Sequence, residues 1–252
     1  MEILVEGARR LGLTLESRHI QLFELYYREL MTWNERFNLT AISGYEQVQS
    51  RHFLDSLTCL LALPTSMSTR EIPDTVPLQR YGCALRLADV GSGAGFPGLP
   101  IKIMLPDAHM TLIEATAKKV AFLRHVVEVL GLSGVQVLNA RAEEVGHMPE
   151  HRETYDAVMA RAVARMATLA EYCLPLCRIG GRMIAPKGED AEAEAEADKE
   201  AIRLLGGTLV AVKPVLLPEI EADHYLVVVD KIAHTPDIYP RRPGVPAKRP
   251  LA

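Results

Sequence analysis

Leu85-Arg86-Leu87-Ala88-Asp89-Val90-Gly91-Ser92-Gly93-Ala94-Gly95-Phe96-Pro97-Gly98-Leu99-Pro100-Ile101 is the stretch that decides the fold. The apolar run Leu85 to Val90 reads as a short buried strand. Glycines at 91, 93 and 95 follow at once, and Pro97 then fixes φ as a first helical residue prefers. Strand, glycine turn and helix together bring a ligand against bare backbone, because glycine permits a tight turn and leaves amides approachable.

Outward from this stretch, strands and helices alternate. Strands are expected at Met110–Ile113, Val135–Leu138, Tyr155–Ala160 and Gly181–Pro186. Helices are expected after the glycines up to Pro106, and at Lys118–Leu130, Met166–Leu176 and Glu189–Leu205. Such alternation predicts an α/β fold with a mostly parallel sheet covered on both faces. The last two strands, Thr208–Val212 and Tyr225–Val229, have no helix between them, which predicts an antiparallel C-terminal hairpin.

The first 64 residues read differently. Ile20, Phe23, Tyr27, Leu30, Trp33 and Phe37 recur at helical spacing, and a Ser43–Glu46 capping box opens a second helix that Pro64 ends. The expected organisation is a helical extension (1–64), a Pro/Ser/Thr-rich linker (65–84), an α/β domain (85–235) and a basic Pro-rich tail (236–252).

Bulk properties bound the function. The 252 residues carry a formal net charge of −4, so any nucleic-acid partner must be gripped by local basic clusters. Cys59, Cys83, Cys173 and Cys177 show no disulfide spacing, and no second Cys/His pair at ligand spacing accompanies them. Reduced, packed thiols and no metal site are expected. No apolar signal core opens the chain and no run is long enough to span a membrane, so a cytoplasmic protein is expected.

Gly93-Ala94-Gly95-Phe96-Pro97-Gly98 satisfies G-x-G-x-x-G, and Glu114 lies 21 residues after Gly93. Nicotinamide dinucleotides fit this local pattern. S-adenosylmethionine fits it too, since its ribose hydroxyls want the same carboxylate. Three features tilt the choice to the sulfonium. Asp89 precedes the glycines, where its charge suits an ammonium group, or that group's bound water, and opposes a pyrophosphate. The late hairpin suits a methyltransferase sheet. Arg141-Ala142-Glu143-Glu144 follows the third strand, where such enzymes place an adenine-contacting loop.

A longer set of matches is more specific than the glycines. Trp33-Asn34-Glu35-Arg36-Phe37-Asn38-Leu39-Thr40, His52-Phe53-Leu54-Asp55-Ser56-Leu57 and Asp89 to Pro100 resemble the RsmG (GidB) family. The likeness continues through Lys118 to Leu123, Arg141 to Glu143, Arg161 to Ala164, Lys187-Gly188, His224 to Val228 and Tyr239 to Gly244. Glu114 departs mildly, standing where many members have Asp. The resemblance implies a class I S-adenosylmethionine-dependent methyltransferase that modifies guanine N7 in 16S ribosomal RNA of the small subunit. It implies cofactor contacts at Gly91, Phe96, Glu114, Ala115, Thr116, Ala142, Glu143 and Arg161, beside the Asp89, Gly93 and Gly95 read from the loop itself. It raises Asn38, His52 and Asp55 as pocket residues. Capping, an ordinary packed histidine and a solvated helix face are their plainer readings.

Guanine N7 carries an in-plane lone pair, so no general base is expected and rate comes from positioning. Arg161 is expected to orient the cofactor carboxylate or the guanine edge, the alternative being a surface pair with Glu143 or Asp156. Lys187, Arg241 and Arg242 are expected to contact RNA phosphate, together with Lys118, Lys119, Arg124 and Arg165. Other readings are a same-fold methyltransferase for another RNA or a small molecule, a nicotinamide-dependent oxidoreductase, and a cofactor-binding RNA module without activity.

Overall fold

The computed structural model describes residues 1–64, 72–76, 85–219 and 224–251. Most of the expected linker, with Cys83, lies outside the described residues. Two long helices come first, α1 (Glu2–Arg10) and α2 (Ser17–Phe37). A continuous winding then runs through α3 (Tyr45–Val48), a π-helical stretch Gln49–Leu54, α4 (Asp55–Thr58) and a 3-10 turn Cys59–Ala62. The π stretch lies where His52 and Asp55 must be aimed, and such irregular turns are frequent at functional sites.

The sheet follows, with β1 (Arg86–Val90), α5 (Gly98–Met104), β2 (His109–Glu114), α6 (Ala117–Val129), β3 (Val135–Asn139) and α7 (Ala142–Val145). The chain continues through β4 (Tyr155–Met159), α8 (Met166–Cys173), β5 (Cys177–Lys187), α9 (Ala191–Ala197), α10 (Lys199–Leu204), β6 (Gly207–Pro214), β7 (Tyr225–Lys231) and α11 (Val245–Lys248). Strand order is β3-β2-β1-β4-β5-β7-β6. β1 to β5 pair parallel, and β7 runs antiparallel between β5 and β6. The expected class I architecture with its late antiparallel hairpin is what forms.

Because neighbouring strand residues face opposite ways, two hydrophobic layers result. Leu87, Met159, Ile184 and Val228 face one layer, which also contains Leu4, Phe23, Tyr26, Phe53 and Leu57 from the N-terminal helices. Ala88, Val90, Val158, Met183 and Val229 face the other, under α8. The helical extension thus shares a core with the sheet.

Local expectations differ at four places. α3 starts on Gly44 with no side-chain cap, one residue too late for Ser43 to serve. Pro97 sits at the cap position of α5 with φ −91°, and the helix opens at Gly98, whose amide is held by Asp89. Tyr26, not Tyr27, is the tyrosine that joins Phe23 fully buried in α2, its hydroxyl donating to the Ala94 carbonyl at 2.5 Å. The single Glu189–Leu205 helix is broken at Asp198, whose carboxylate accepts the Ala167 amide at 2.7 Å near the start of α8. Cys59, Cys173 and Cys177 are buried and free.

Candidate functional site

Parallel strands deliver their loops to one edge, and the order 3-2-1-4 reverses direction between β1 and β4, the usual ligand position in such sheets. A cleft of about 430 Å³ opens there. Gly91, Glu114, Ala115, Thr116, Lys119, Ala142, Glu143, Arg161 and Val163 are among its walls, with Tyr172 and Ala247 closing the far side.

Glu114 ends β2. Its carboxylate accepts the Gly93 amide at 3.0 Å and the Thr116 amide at 2.7 Å. A carboxylate has about four acceptor sites, so capacity remains for a diol. Gly91 has φ +71°, and a Cβ there would lie 2.6 Å from Val163 Cγ2, so only glycine serves. Gly95 has φ +96°, and its missing Cβ makes room for Tyr26 and Leu99.

Most of the loop amides, Ala94 excepted, are already used. Gly91 and Ser92 donate to the Ile113 carbonyl, Gly93 to Glu114, Gly95 and Phe96 to the Ser92 carbonyl, and Gly98 to Asp89. A pyrophosphate needs such amides free, whereas a nucleoside sulfonium needs a carboxylate for its ribose and an open edge. The residues present therefore fit S-adenosylmethionine.

Asp89 is displaced from its expected place. It lies fully buried beneath the loop, off the cleft wall, with Oδ2 on the Gly98 amide at 2.9 Å and Oδ1 without a partner. Burial pushes its carboxyl up to about 7, against the weaker pull of the Gly98 amide. In the interval between the ordinary aspartate value and about 7, the unfolded chain is ionised while the folded one holds a proton. Stability conferred by that proton therefore falls as pH rises across the interval. Asp89→Asn is expected to melt higher than wild type at pH 8, by on the order of a few kcal/mol of stability. In a thermal-melt series the difference should narrow steadily below pH 7 and close only near the ordinary aspartate value, about pH 4, and a gap independent of pH would contradict this account.

Arg161, His52 and Asp55 are brought together, though 109 and 106 residues separate the latter two from the arginine. Arg161 Nη1 donates to Asp55 Oδ2 at 2.5 Å and to the Arg51 carbonyl at 2.9 Å, and Nη2 to His52 Nδ1 at 3.2 Å. Its guanidinium stands 5.3 Å over the Phe96 ring, and His52 stacks on the same ring at 4.4 Å. His224 Nδ1 meets the other Asp55 oxygen at 3.0 Å. Burial alone would raise the Asp55 carboxyl, but the His224 hydrogen bond and the Arg161 charge outweigh it and hold the group below the ordinary range. Burial and the Arg161 charge together push His52 down to about 4, so the ring is neutral. Nδ1 also lies 3.1 Å from the Arg51 carbonyl, and Nε2 2.8 Å from Thr40 Oγ1, so both ring nitrogens are engaged.

Other candidates have different work. Phe96 is 5% exposed and is the aromatic floor under Arg161, not a cleft wall. Gly93 and Gly95 shape the loop from behind the wall. Asn38 is the left-handed C-cap of α2 at φ 49°. Lys187 holds Glu194 at 2.6 Å and the Ala164 carbonyl at 2.9 Å, so its charge is paired and it steadies the Arg161–Ala164 turn. Arg241 is bound to the fully buried Glu171, and its charge is likewise committed; Arg242 is exposed. The alternative pair of Arg161 with Glu143 or Asp156 does not form: Glu143 accepts the Gly244 amide and Asp156 binds Arg178. Tyr172 and Ala247 carried no local signal, since distant chain brings them to the cleft; Val163 lay in the Arg161–Ala164 run.

A family model described as rRNA small subunit methyltransferase G (GidB) matches residues 19–221. A protein named Ribosomal RNA small subunit methyltransferase G from Roseiflexus sp. (strain RS-1) is 50% identical over 251 residues, covering 100% of both chains. One of the same name from Pelotomaculum thermopropionicum is 46% identical over 250 residues, covering 99% of this chain and 98% of that one. Among solved structures, a mutant of MtNAS superposes with a TM-score of 0.50 at 17% identity, over 86% of this chain and 75% of that one, a likeness of fold.

Proposed function

The chain belongs to the rRNA small subunit methyltransferase G (GidB) family, and from that premise we propose that it transfers the methyl group of S-adenosylmethionine to N7 of a guanine in 16S ribosomal RNA. The glycine loop carries the cofactor half of this reading: most of its amides are committed within the protein, next to a carboxylate with acceptor capacity left. When bound, the cofactor supplies a methyl group activated on a sulfonium.

Glu114 takes the ribose hydroxyls. Gly91 allows the ligand to approach the backbone. Ala142 and Glu143 flank the base at the end of β3. No side chain has to remove a proton, because N7 of neutral guanine already has its lone pair. His52 accordingly has a structural task, stacked as a neutral ring on Phe96 beside Arg161. Arg161 uses three of its five donors on Asp55, His52 and the Arg51 carbonyl. The remaining donors can orient guanine O6 or an RNA phosphate. Asp55 also cancels the Arg161 charge, which would otherwise oppose the positive charge that grows on the purine during transfer.

The target guanine must be presented unstacked, since the deep major groove of A-form RNA hides N7. The substrate is then structured ribosomal RNA or the small subunit itself, and the place of action the cytoplasm. Among the described residues no helix is long and apolar enough to cross a membrane. Mapping N7-methylguanosine in 16S RNA from cells with and without this protein tests the proposal. Loss of the modification at one position is expected on deletion, and an unchanged map overturns it.

A further inference from the structure

The tail beyond β7 is not a loose basic arm. Arg152 Nη1 donates to the Gly146 and Tyr239 carbonyls at 2.8 and 2.9 Å, and Nη2 to the Thr235 carbonyl at 2.8 Å. Pro240 lies against Gly146, where a Cβ would come within 2.7 Å of its ring. Arg241 then grips Glu171 as a fork, Nε to Oε1 at 2.9 Å and Nη2 to Oε2 at 2.6 Å, and its backbone amide adds a third bond to Oε1 at 2.8 Å. Glu171 belongs to α8 and is completely buried.

Three residues further on, the chain reaches the cleft. The Gly244 amide donates to Glu143 Oε1 at 2.9 Å, and Glu143 is itself only 3% exposed. Tyr172, next to Glu171, lines the same cleft as Glu143. Thr168 of α8 donates to the Pro246 carbonyl at 3.1 Å, and Ala247 stands on the cleft wall. The family-model match ends at residue 221, so the tail half of these contacts lies beyond it while Glu143, Arg152 and Glu171 lie within it.

Resting on the cofactor reading above, we propose that residues 239–251 form a strap that completes the cofactor cleft, with Arg241 as the positioning residue that holds Gly244 on Glu143 and Ala247 on the wall. A planar guanidinium on a buried carboxylate fixes both distance and orientation. The amide that follows it along the chain is thereby placed on an acidic side chain of the nucleoside end. Freed of that amide, Glu143 has one fewer partner and another rotamer to visit, so a ligand must order it on binding.

The test uses the full chain and calorimetric titration with S-adenosylmethionine, alongside thermal melts. Ala247→Trp alters an exposed side chain and leaves the latch intact. It is expected to weaken cofactor binding by about tenfold or more with an unchanged melt. Arg241→Lys keeps the charge that RNA would sense but loses the fork, and is expected to weaken cofactor binding as well. Arg241→Ala strands Glu171, and if it fails to fold the other two variants still decide. A wild-type chain that binds while Ala247→Trp binds equally well overturns the strap alone. A wild-type chain that gives no heat overturns the cofactor reading, and the strap with it.

Discussion

Asp55→Ala is expected to lower unfolding free energy by about 3–5 kcal/mol and to eliminate measurable methyl transfer to ribosomal RNA. The carboxylate is buried between Arg161 and His224, and removing it leaves the guanidinium without its counter-charge in a poorly solvated site. Arg161 would then turn away from Phe96 and His52, and the cleft would lose its orienting cation. Because the folded-state value of Asp55 is depressed, its contribution is present above the ordinary aspartate range and fades as pH falls through the folded value. The gap between mutant and wild type should therefore narrow in acid. Urea unfolding at several pH values and transfer of labelled methyl to small subunits measure the two effects. A loss below about 1 kcal/mol at pH 7, the scale of an exposed pair, would mean the cluster is solvated.

Glu114→Ala is expected to reduce S-adenosylmethionine affinity by about 100-fold, the worth of two hydrogen bonds to a charged acceptor. It also frees the Gly93 and Thr116 amides that the carboxylate now holds, so the glycine loop should lose order. Glu114→Asp, which retains charge with a shorter reach, should recover part of the binding. Glu114→Gln keeps one acceptor oxygen and should fall between. Calorimetry on the three variants gives the ranking, and equal affinity for Ala and wild type would remove this residue from the site.

Much of this could be read from local pattern. Apolar runs at period two and helices at period 3.6 located every strand of the sheet, because buried strands and amphipathic helices leave marks within ten residues. The glycines and Glu114 were legible since positive φ and a strand-end acid have few substitutes. The pairing of Arg161 with Asp55 was not, since it joins elements more than a hundred residues apart. His52 and Asp55 were found only through likeness to a family, as a lone histidine and a helical aspartate carry no chemical signal of their own. The tail misled because composition reports charge without its partner: Arg241 looks like an RNA contact until Glu171 is seen beneath it. Asp198 misled likewise, as its service to α8 is invisible from its own helix.

The shared layer of Leu4, Phe23 and Phe53 with Ile184 and Val228 has a consequence for synthesis. The same layer takes Leu99 and Ile101 of α5 and Phe122 of α6, so the oily sides of the N-terminal helices are covered in part once those helices are made, and fully only when β5 and β7 add Ile184 and Val228. Closing this layer thus joins segments made far apart in time, and a partly covered helical face open to chaperones persists until β7 exists.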